Sequence, residues 1–315
     1  MKRKLLLAGL AIACPALAQN WPAKTVRIVV PFAAGGGTDV NARILSPRLA
    51  ERWGQSVVVD NRAGAGTVIG TEIVAKSPPD GYTLLLNSSA QVVSPAVVAK
   101  LPYDALADFA PITLVSFSPQ ALVGHPSLPV KGVKEPIALA RARPNELNYG
   151  NAGPTSMLTG QLFNMLAKVN LQSIQYKGAA PMMIDIMGGH VMLGLSAVGS
   201  VAAATRTGKL RLFGIASATP SPAFPEATPI ARNDLPGFDA LDWFGMLAPR
   251  GTPPEIVARI QRDIAEILRV PAVRQHLLDI GADPSGLAPD EFATRVRSEI
   301  DRWKTVAQAS GIKPQ

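Results

Sequence analysis

Two loops of the sequence combine small residues with side chains that can cap a helix, a pattern typical of anion-binding sites. The first, AAGGGTD, covers residues 33–39, and the second, GNAGPTS, covers residues 150–156. Glycine lets a ligand approach the backbone closely, and a helix N-terminus presents unpaired N–H groups at its positive dipole end. A tight turn that needs glycine explains either loop alone. The matched pair, in corresponding places of two α/β units, favours a shared seat for a carboxylate.

The residues that end these loops can cap their helices, donate to a ligand or do both. They are Thr38, Asp39, Thr155 and Ser156. For Asp39 we expect capping alone, because an unneutralised carboxylate would repel a bound anion. Its indirect role would be to orient a water molecule or the loop amides.

Further polar residues follow two other predicted strands. Ser88 and Ser89 could supply hydroxyl donors at one strand end, and exposed serines without a ligand role fit the sequence equally well. Tyr176 and Lys177, followed by Gly178, could present a phenol and an ammonium group to the same cleft. A Lys177 side chain in solvent fits the sequence as well as one that binds a second carboxylate.

The elements that must position these residues follow from the hydrophobic pattern. A buried strand at 26–30 leads through the first loop into a helix that ends at Trp53, before Gly54. Similar units continue the chain, with strands at 56–60 and 82–86 and a helix at 71–76. This β-loop-α order predicts a parallel sheet flanked by helices, whose ligands bind beyond the carboxyl ends of the strands. Those ends are residues 32–37, 61–66 and 87–89.

The chain is expected to leave this first domain near residue 120 and to return near residue 240. Strands are expected at 111–123, 147–149, 174–176, 191–195 and 210–216, with helices at 137–142, 154–169, 179–187 and 198–207. The proline-rich residues 217–240 read as a connection between domains. A strand at 243–248 and helices at 255–269, 271–280 and 289–309 follow. We therefore predict an α/β protein with a discontinuous domain 1 (residues 19–120 and 241–315) and a domain 2 (residues 121–240).

The first 18 residues have the pattern of a secretory signal peptide. A basic start at residues 2–4 precedes an apolar run at residues 5–13 and a small-residue cleavage pattern at residues 16–18. We expect cleavage after Ala18 and a periplasmic protein. The alternative is a lipoprotein signal with Cys14 lipidated, but no leucine stands three residues before Cys14.

Composition argues against several function classes. Cleavage removes the only cysteine, so no disulfide is expected, and the three histidines are too far apart in sequence to suggest a metal site. Without residues 2–4 the 31 basic residues fall to 28, against 23 acidic residues, which leaves a net charge of +5. The positive residues form no run and aromatic residues are sparse, so we expect no nucleic-acid binding.

Enzyme motifs are equally scarce. Gly64, Gly66 and Gly70 do not have the GxGxxG spacing of a dinucleotide loop, and no GxxxxGK[ST] motif is present. Ser196 lacks the glycine frame of a GxSxG elbow. We therefore expect no catalysis, no metal and no cofactor. A periplasmic hydrolase or lyase that uses Ser88 or Ser156 is the alternative.

Several segments taken together resemble a known receptor family. They are Trp21-Pro22, VRIVVPFAAGGGTD, GQSVVVDNRAGAGTVIG, PDGYTLLL, NYGNAGPTSMLTGQLF, YKGAAPMMIDIMGGHV, KLRLFGIA and APRGTPPEIV. This combination is similar to the Bug receptors, the substrate-binding proteins of tripartite tricarboxylate transport systems, over nearly the whole mature chain. The resemblance implies a two-lobed periplasmic binding protein fold (type II-like) that closes on a small carboxylate. The partners would be that carboxylate and a membrane permease or a sensor, and we expect a monomer.

The resemblance also implies which residues contact the ligand. Two loops would hold a carboxylate: Phe32, Ala33, Ala34, Gly35, Gly36, Gly37, Thr38 and Asp39 in the first, and Asn151, Ala152, Gly153, Thr155 and Ser156 in the second. Ser88, Tyr176, Lys177, Gly178 and Ser196 would line the rest of the pocket, with Ser89 beside Ser88.

The chain departs from the family pattern after Gly189. Relatives often carry acidic residues there, whereas this chain reads Met192-Leu193-Gly194-Leu195-Ser196. With Asp39 as the only acid in the candidate loops, the ammonium of an amino acid would have no partner, and a buried unpaired charge is costly. We therefore predict a ligand without an amino group, whose neutral or apolar remainder faces Ser88, Ser196 and Met192.

Overall fold

The computed structural model describes residues 21–128, 132–143 and 146–314. The predicted signal peptide, with Cys14 and the cleavage site after Ala18, lies outside these residues. Within the described part of the chain, no helix is long and apolar enough to cross a membrane.

The elements alternate between strand and helix through most of the chain. Up to residue 124 they are β1 (Val26–Val30), α1 (Gly37–Trp53), β2 (Val57–Asn61), α2 (Val68–Ala75), β3 (Thr83–Ser88), α3 (Ala90–Val97) and β4 (Phe109–Gly124). Next come α4 (Lys134–Ala142), β5 (Asn148–Asn151), α5 (Pro154–Ala167), β6 (Gln172–Gln175), α6 (Ala179–Met187), β7 (Leu193–Ala197), α7 (Val198–Arg206) and β8 (Arg211–Ala216). The last are α8 (Ile230–Asn233), β9 (Leu241–Pro249), α9 (Pro254–Arg269), α10 (Pro271–Asp279), β10 (Asp283–Pro284) and α11 (Pro289–Ala309).

The strands form one curled sheet in the order β2-β1-β3-β9-β4-β7-β5-β6, with β8 and β10 also paired to β4. The first lobe contains β1, β2, β3, β9 and β10, and the second contains β5 to β8. The βα units pair in parallel, as expected, in β1 with β2 and β3 and in β5 with β6 and β7. The antiparallel pairs are those of β9 with β3 and β4, and those of β4 with β7, β8 and β10. Each lobe is therefore a mixed sheet.

The long strand β4 joins the two lobes. Its residues up to Pro119 pair with β9, and from Gln120 onwards they pair with β7 and β8. This change of partners supports the boundary predicted near residue 120, and the domain limits themselves stay a prediction.

Helix α1 illustrates how local sequence determines the frame of the site. Its apolar face, which includes Leu45, Leu49 and Trp53, is fully or almost fully buried against the first-lobe sheet. The helix ends at Gly54, whose φ of 63° is the left-handed conformation that glycine adopts without strain. The predicted end of α1 is confirmed.

Helix α3 was not predicted. Its eight residues, AQVVSPAV, contain β-branched residues and Pro95, all weak helix formers. Val92, Val93 and Ala96 are buried, and the helix packs against α11 and α5. Tertiary packing therefore stabilises a segment whose own propensity is low.

Candidate functional site

Two adjoining cavities of about 430 Å³ and about 500 Å³ are lined by residues of both lobes. They share five lining residues, so they form one continuous cleft: Phe32, Ser88, Ala197, Ser200 and Asp242. Each volume lies in the range of ordinary small-molecule sites.

The N-terminus of α1 forms the first-lobe wall. Gly36 is the N-cap, with no side-chain cap, and the N–H of Val40 donates to Gly36 O at 2.9 Å. The prediction that Thr38 or Asp39 caps α1 is therefore wrong, because the helix begins two residues earlier than a Thr38 cap requires and three earlier than an Asp39 cap requires. The N–H groups of residues 37–39 have no hydrogen-bond partner among the described residues. Gly36, Gly37 and Thr38 line the second cavity, so these donors border the cleft.

Asp39 fixes the shape of this loop from behind. Its Oδ2 accepts hydrogen bonds from Gly35 N at 2.9 Å and from Arg43 Nε at 2.8 Å. The hydrogen bond from Arg43, opposed by burial and helped by the Gly35 N–H, lowers the pKa of the Asp39 carboxyl below its ordinary value. Gly35 has a φ of 86°, a conformation that other residues rarely adopt. Because Arg43 neutralises Asp39, the carboxylate can support the loop without repelling an anion.

The N-terminus of α5 forms the second-lobe wall. Gly153 is its N-cap, and Pro154 occupies the first helical position, where a missing N–H costs nothing. The Ser156 hydroxyl accepts from Ala152 N at 2.8 Å and donates to Gly153 O at 3.0 Å. Both hydrogen bonds stay within the loop, so the hydroxyl of Ser156 shapes the wall and its backbone N–H remains available to a ligand.

A short hydrogen-bonded chain links the two lobes across the cleft. Ser89 Oγ donates to Asp242 Oδ1 at 2.7 Å, and Thr155 Oγ1 lies 3.3 Å from Ser89 Oγ. Since Ser89 uses its single proton toward Asp242, Thr155 is the donor in the second contact. Burial raises the pKa of the Asp242 carboxyl, and the Ser89 hydrogen bond opposes this shift.

Asp242 corrects one premise of the sequence-based specificity prediction. Asp39 is not the only acid near the site, because Asp242 lines both cavities. It was missed because β9 was predicted to begin at Trp243, which left Asp242 between the connection at 217–240 and the strand, whereas β9 begins at Leu241. The prediction of a ligand without an amino group therefore loses its support.

The cavities bring together about half of the predicted site residues. Those that line them are Phe32, Gly36, Gly37, Thr38, Ser88, Ala152, Gly153, Thr155, Ser156 and Ser196. The other predicted residues line neither cavity: Ala33, Ala34, Gly35, Asp39, Ser89, Asn151, Tyr176, Lys177 and Gly178.

Two of the residues outside the lining have partners elsewhere. The Tyr176 hydroxyl donates to Asp185 Oδ2 of α6 at 2.7 Å, and burial together with this contact raises the pKa of Tyr176 to about 12. Asn151 is buried and donates from Nδ2 to Ser173 Oγ and Ile174 O, at 2.9 and 3.1 Å. Both side chains therefore hold secondary structure together, and Lys177 is exposed.

The sequence did not predict two parts of the cleft. One comes from helix starts that follow no glycine-rich loop, and the other from the long strand β4. The starts of α3 and α7 contribute Ala90, Gly199 and Ser200, while β4 contributes Ser118 and Gln120. Helix α3 was not predicted, and the strand residues reach the cleft only through long-range pairing. Within the described part of the chain, five helix N-termini, those of α1, α3, α5, α6 (through Ala179) and α7, therefore border the cleft, where two were expected.

The charge of the cleft is one-sided. Among the described residues, no Lys, Arg or His lines either cavity, and Asp242 is the one ionisable side chain that does. Positive potential for an anion must therefore come from backbone N–H groups and helix dipoles.

Two α/β lobes around a cleft bordered by helix N-termini define a periplasmic binding protein. Comparison with known proteins then gives the family: the chain belongs to the tripartite tricarboxylate transporter family receptors (TctC), whose family model matches residues 41–312. The chain is 38% identical to Protein BugT of Bordetella pertussis over 313 residues, which cover 98% of this chain and 96% of that protein. The predicted resemblance to the Bug receptors is confirmed.

Solved structures agree with this assignment. R. palustris Rpa4515 with adipate is 36% identical, with a TM-score of 0.76 and coverage of 94% of this chain and 100% of that chain. MatC (Rpa3494) from Rhodopseudomonas palustris with bound malate is 32% identical, with a TM-score of 0.72 and coverage of 91% and 100%. The predicted two-lobed fold is confirmed by these relatives.

Proposed function

We propose that this protein is a periplasmic receptor that captures a small carboxylate between its two lobes for a tripartite-type membrane transport system. The observation that carries the proposal is that the start of α1 in one lobe and the start of α5 in the other line one cleft. Each start offers backbone N–H groups without intramolecular partners to an anion. The relatives solved with adipate and malate, together with the family assignment, support a carboxylate as ligand.

In this proposal the ligand carboxylate is held mainly by backbone donors. The N–H groups of residues 37–39 would contact it from the first lobe, and those of Thr155 and Ser156 from the second. Ser88 and Ser196 would add hydroxyl contacts from the strand ends. Closure of the lobes would strengthen each hydrogen bond by excluding water.

The alternative, a hydrolase or lyase that uses Ser88 or Ser156, has less support. The Ser156 hydroxyl is engaged within its own loop, and Ser88 Oγ accepts from Ala90 N at 3.2 Å. A serine nucleophile needs a base, and the described lining residues include no histidine. We therefore propose binding without turnover.

The test is a thermal-shift screen of the mature protein over mono-, di-, tri- and aromatic carboxylates. A ligand at 100 times its Kd stabilises the folded state by about 2.7 kcal/mol, which gives a clear rise in Tm. Calorimetry should then give one site per chain, and NMR of the recovered ligand should find it unchanged. Turnover of the ligand would favour the enzyme instead, and the absence of any hit among carboxylates would overturn the receptor.

Export, oligomeric state and the downstream partner belong to the same proposal. Mass spectrometry of the protein recovered from the periplasm should give a chain that begins at Gln19. A lipidated chain that begins at Cys14 would overturn this cleavage site. Light scattering should give a monomer, and the partner would be a membrane permease or a sensor.

A further inference from the structure

The floor of the cleft lies where β4 and β9 run side by side. Ser118 of β4 pairs directly with Asp242 of β9. Ser118 and Gln120 are two residues apart on one strand, so their side chains lie on the same face, and the partner across the ladder shares that face. Ser118 lines the second cavity, Gln120 lines the first and Asp242 lines both. The three side chains therefore form one polar floor, which we name the β4–β9 floor.

The polar groups of the β4–β9 floor are not satisfied by the protein. Ser118 and Gln120 are 7% and 2% exposed, yet Ser118 Oγ and Gln120 Oε1 have no hydrogen-bond partner within the described structure. Asp242 Oδ1 accepts from Ser89, and no described residue donates to Oδ2. Buried polar groups are nearly always paired, so Ser118 Oγ and Gln120 Oε1, together with Oδ2 of the half-buried Asp242, are suited to a ligand that supplies partners.

The charge of the floor determines which partner fits. Asp242 contributes acceptor oxygens and a negative charge, and no cationic side chain of the described chain lines the cleft to offset it. A second carboxylate on the ligand would meet Asp242 without an intervening cation. A hydroxyl, amide or ammonium group would instead donate to it, and an ammonium would also neutralise it.

We propose that Asp242 is a specificity-determining residue, which, with Ser118 and Gln120, selects a hydrogen-bond donor at the end of the ligand remote from its carboxylate. The inference rests on the proposed function, since it assumes that the helix N-termini hold that carboxylate. The ligand class is then a small monocarboxylate with a hydroxyl, amide or ammonium group at its other end. A dianion of the same length is disfavoured by the same residue.

The test compares ligands that differ only at the remote end. Calorimetry on the mature protein at neutral pH would use hexanoate, 6-hydroxyhexanoate, 6-aminohexanoate and adipate, and the matching four-carbon series. The donor-ended members should bind about tenfold or more tightly than the dianion of equal length. In Asp242→Asn this ratio should fall to about one, because the amide can donate to a carboxylate and carries no charge. Asp301→Asn, an exposed position on α11 with the same change in net charge, should keep the wild-type ratio.

The outcomes separate this inference from the proposed function. Wild-type protein that binds the dianion as tightly as the donor-ended ligands overturns the inference, even if Asp242→Asn fails to fold. An unchanged ratio in Asp242→Asn overturns it as well. If neither series binds, the carboxylate found in the screen is used instead. It is compared with two analogues of equal length, one with a hydrogen-bond donor and one with a second carboxylate at the remote end, and the same results overturn the inference. Binding of no carboxylate at all overturns the proposed function, and the inference falls with it.

Discussion

Gly36→Val should abolish ligand binding and leave the empty protein as stable as the wild type. Gly36 has φ −77° and ψ 167°, which is extended backbone open to valine. A Cβ at this position meets only Ala33 O at 3.7 Å, an ordinary contact. The new side chain would therefore enter the second cavity, next to the free N–H groups of residues 37–39, without distorting the loop.

The expected loss of affinity follows from the hydrogen bonds that the valine would block. Each bond from a backbone N–H to a charged carboxylate contributes about 1.5–3 kcal/mol, so the loss of two weakens binding about 10²- to 10⁴-fold. The Tm of the empty protein should change by less than about 2 °C, since a tolerated surface substitution alters the free energy of unfolding by about 0.5 kcal/mol or less.

Gly35→Ala is the matched control in the same loop. A Cβ at Gly35 meets nothing within 4 Å, but the φ of 86° strains any residue other than glycine. This variant should lose about 1–2 kcal/mol of stability. Calorimetry and thermal denaturation of both variants give the answer. If Gly36→Val keeps wild-type affinity, or if its Tm falls as far as that of Gly35→Ala, this loop does not bind the carboxylate. Gly36 would then serve only a tight turn.

Three further predictions concern the frame of the site. Because the pKa of Asp39 is lowered, its ionised form stabilises the fold above the unfolded-state pKa of 3.8, and this stability is lost as the pH falls through the folded pKa. Asp39→Asn should therefore have a lower Tm than the wild type at pH 7, and the difference in Tm should shrink below about pH 4. A difference in Tm that stays constant with pH would contradict this. Thr155→Val removes the hydroxyl that contacts Ser89, so calorimetry should find affinity for the ligand reduced about 3- to 10-fold, with the Tm of the empty protein unchanged. Unaltered affinity would mean that the Thr155–Ser89 contact between the lobes does not contribute to binding. Gly160→Ala would place a Cβ 2.1 Å from the ring of the fully buried Tyr149, so thermal denaturation should find the free energy of unfolding reduced by about 1–3 kcal/mol. A Tm equal to that of the wild type would contradict this and mean that the ring moves freely.

Local sequence determined most of the longer helices, α3 excepted, and the two loops in front of α1 and α5. The bounds of α6 (Ala179–Met187) and α11 (Pro289–Ala309) agree with those predicted, because apolar spacing and a proline at the first turn are signals carried by neighbouring residues. The left-handed Gly54 after α1 is a signal of the same kind. Motif similarity across nearly the whole chain added the family and the two-lobed fold.

Only the tertiary structure decided which polar groups meet in the cleft. Asp242 reaches the floor because β9 pairs antiparallel between β3 and β4, with Ser118 as its direct neighbour. The phenol of Tyr176 turns instead toward Asp185, a contact that depends on how α6 packs on its lobe. Pairing between strands more than a hundred residues apart leaves no periodic trace in the sequence. The walls formed by the starts of α1 and α5 could therefore be predicted, and the floor formed by β4 and β9 could not.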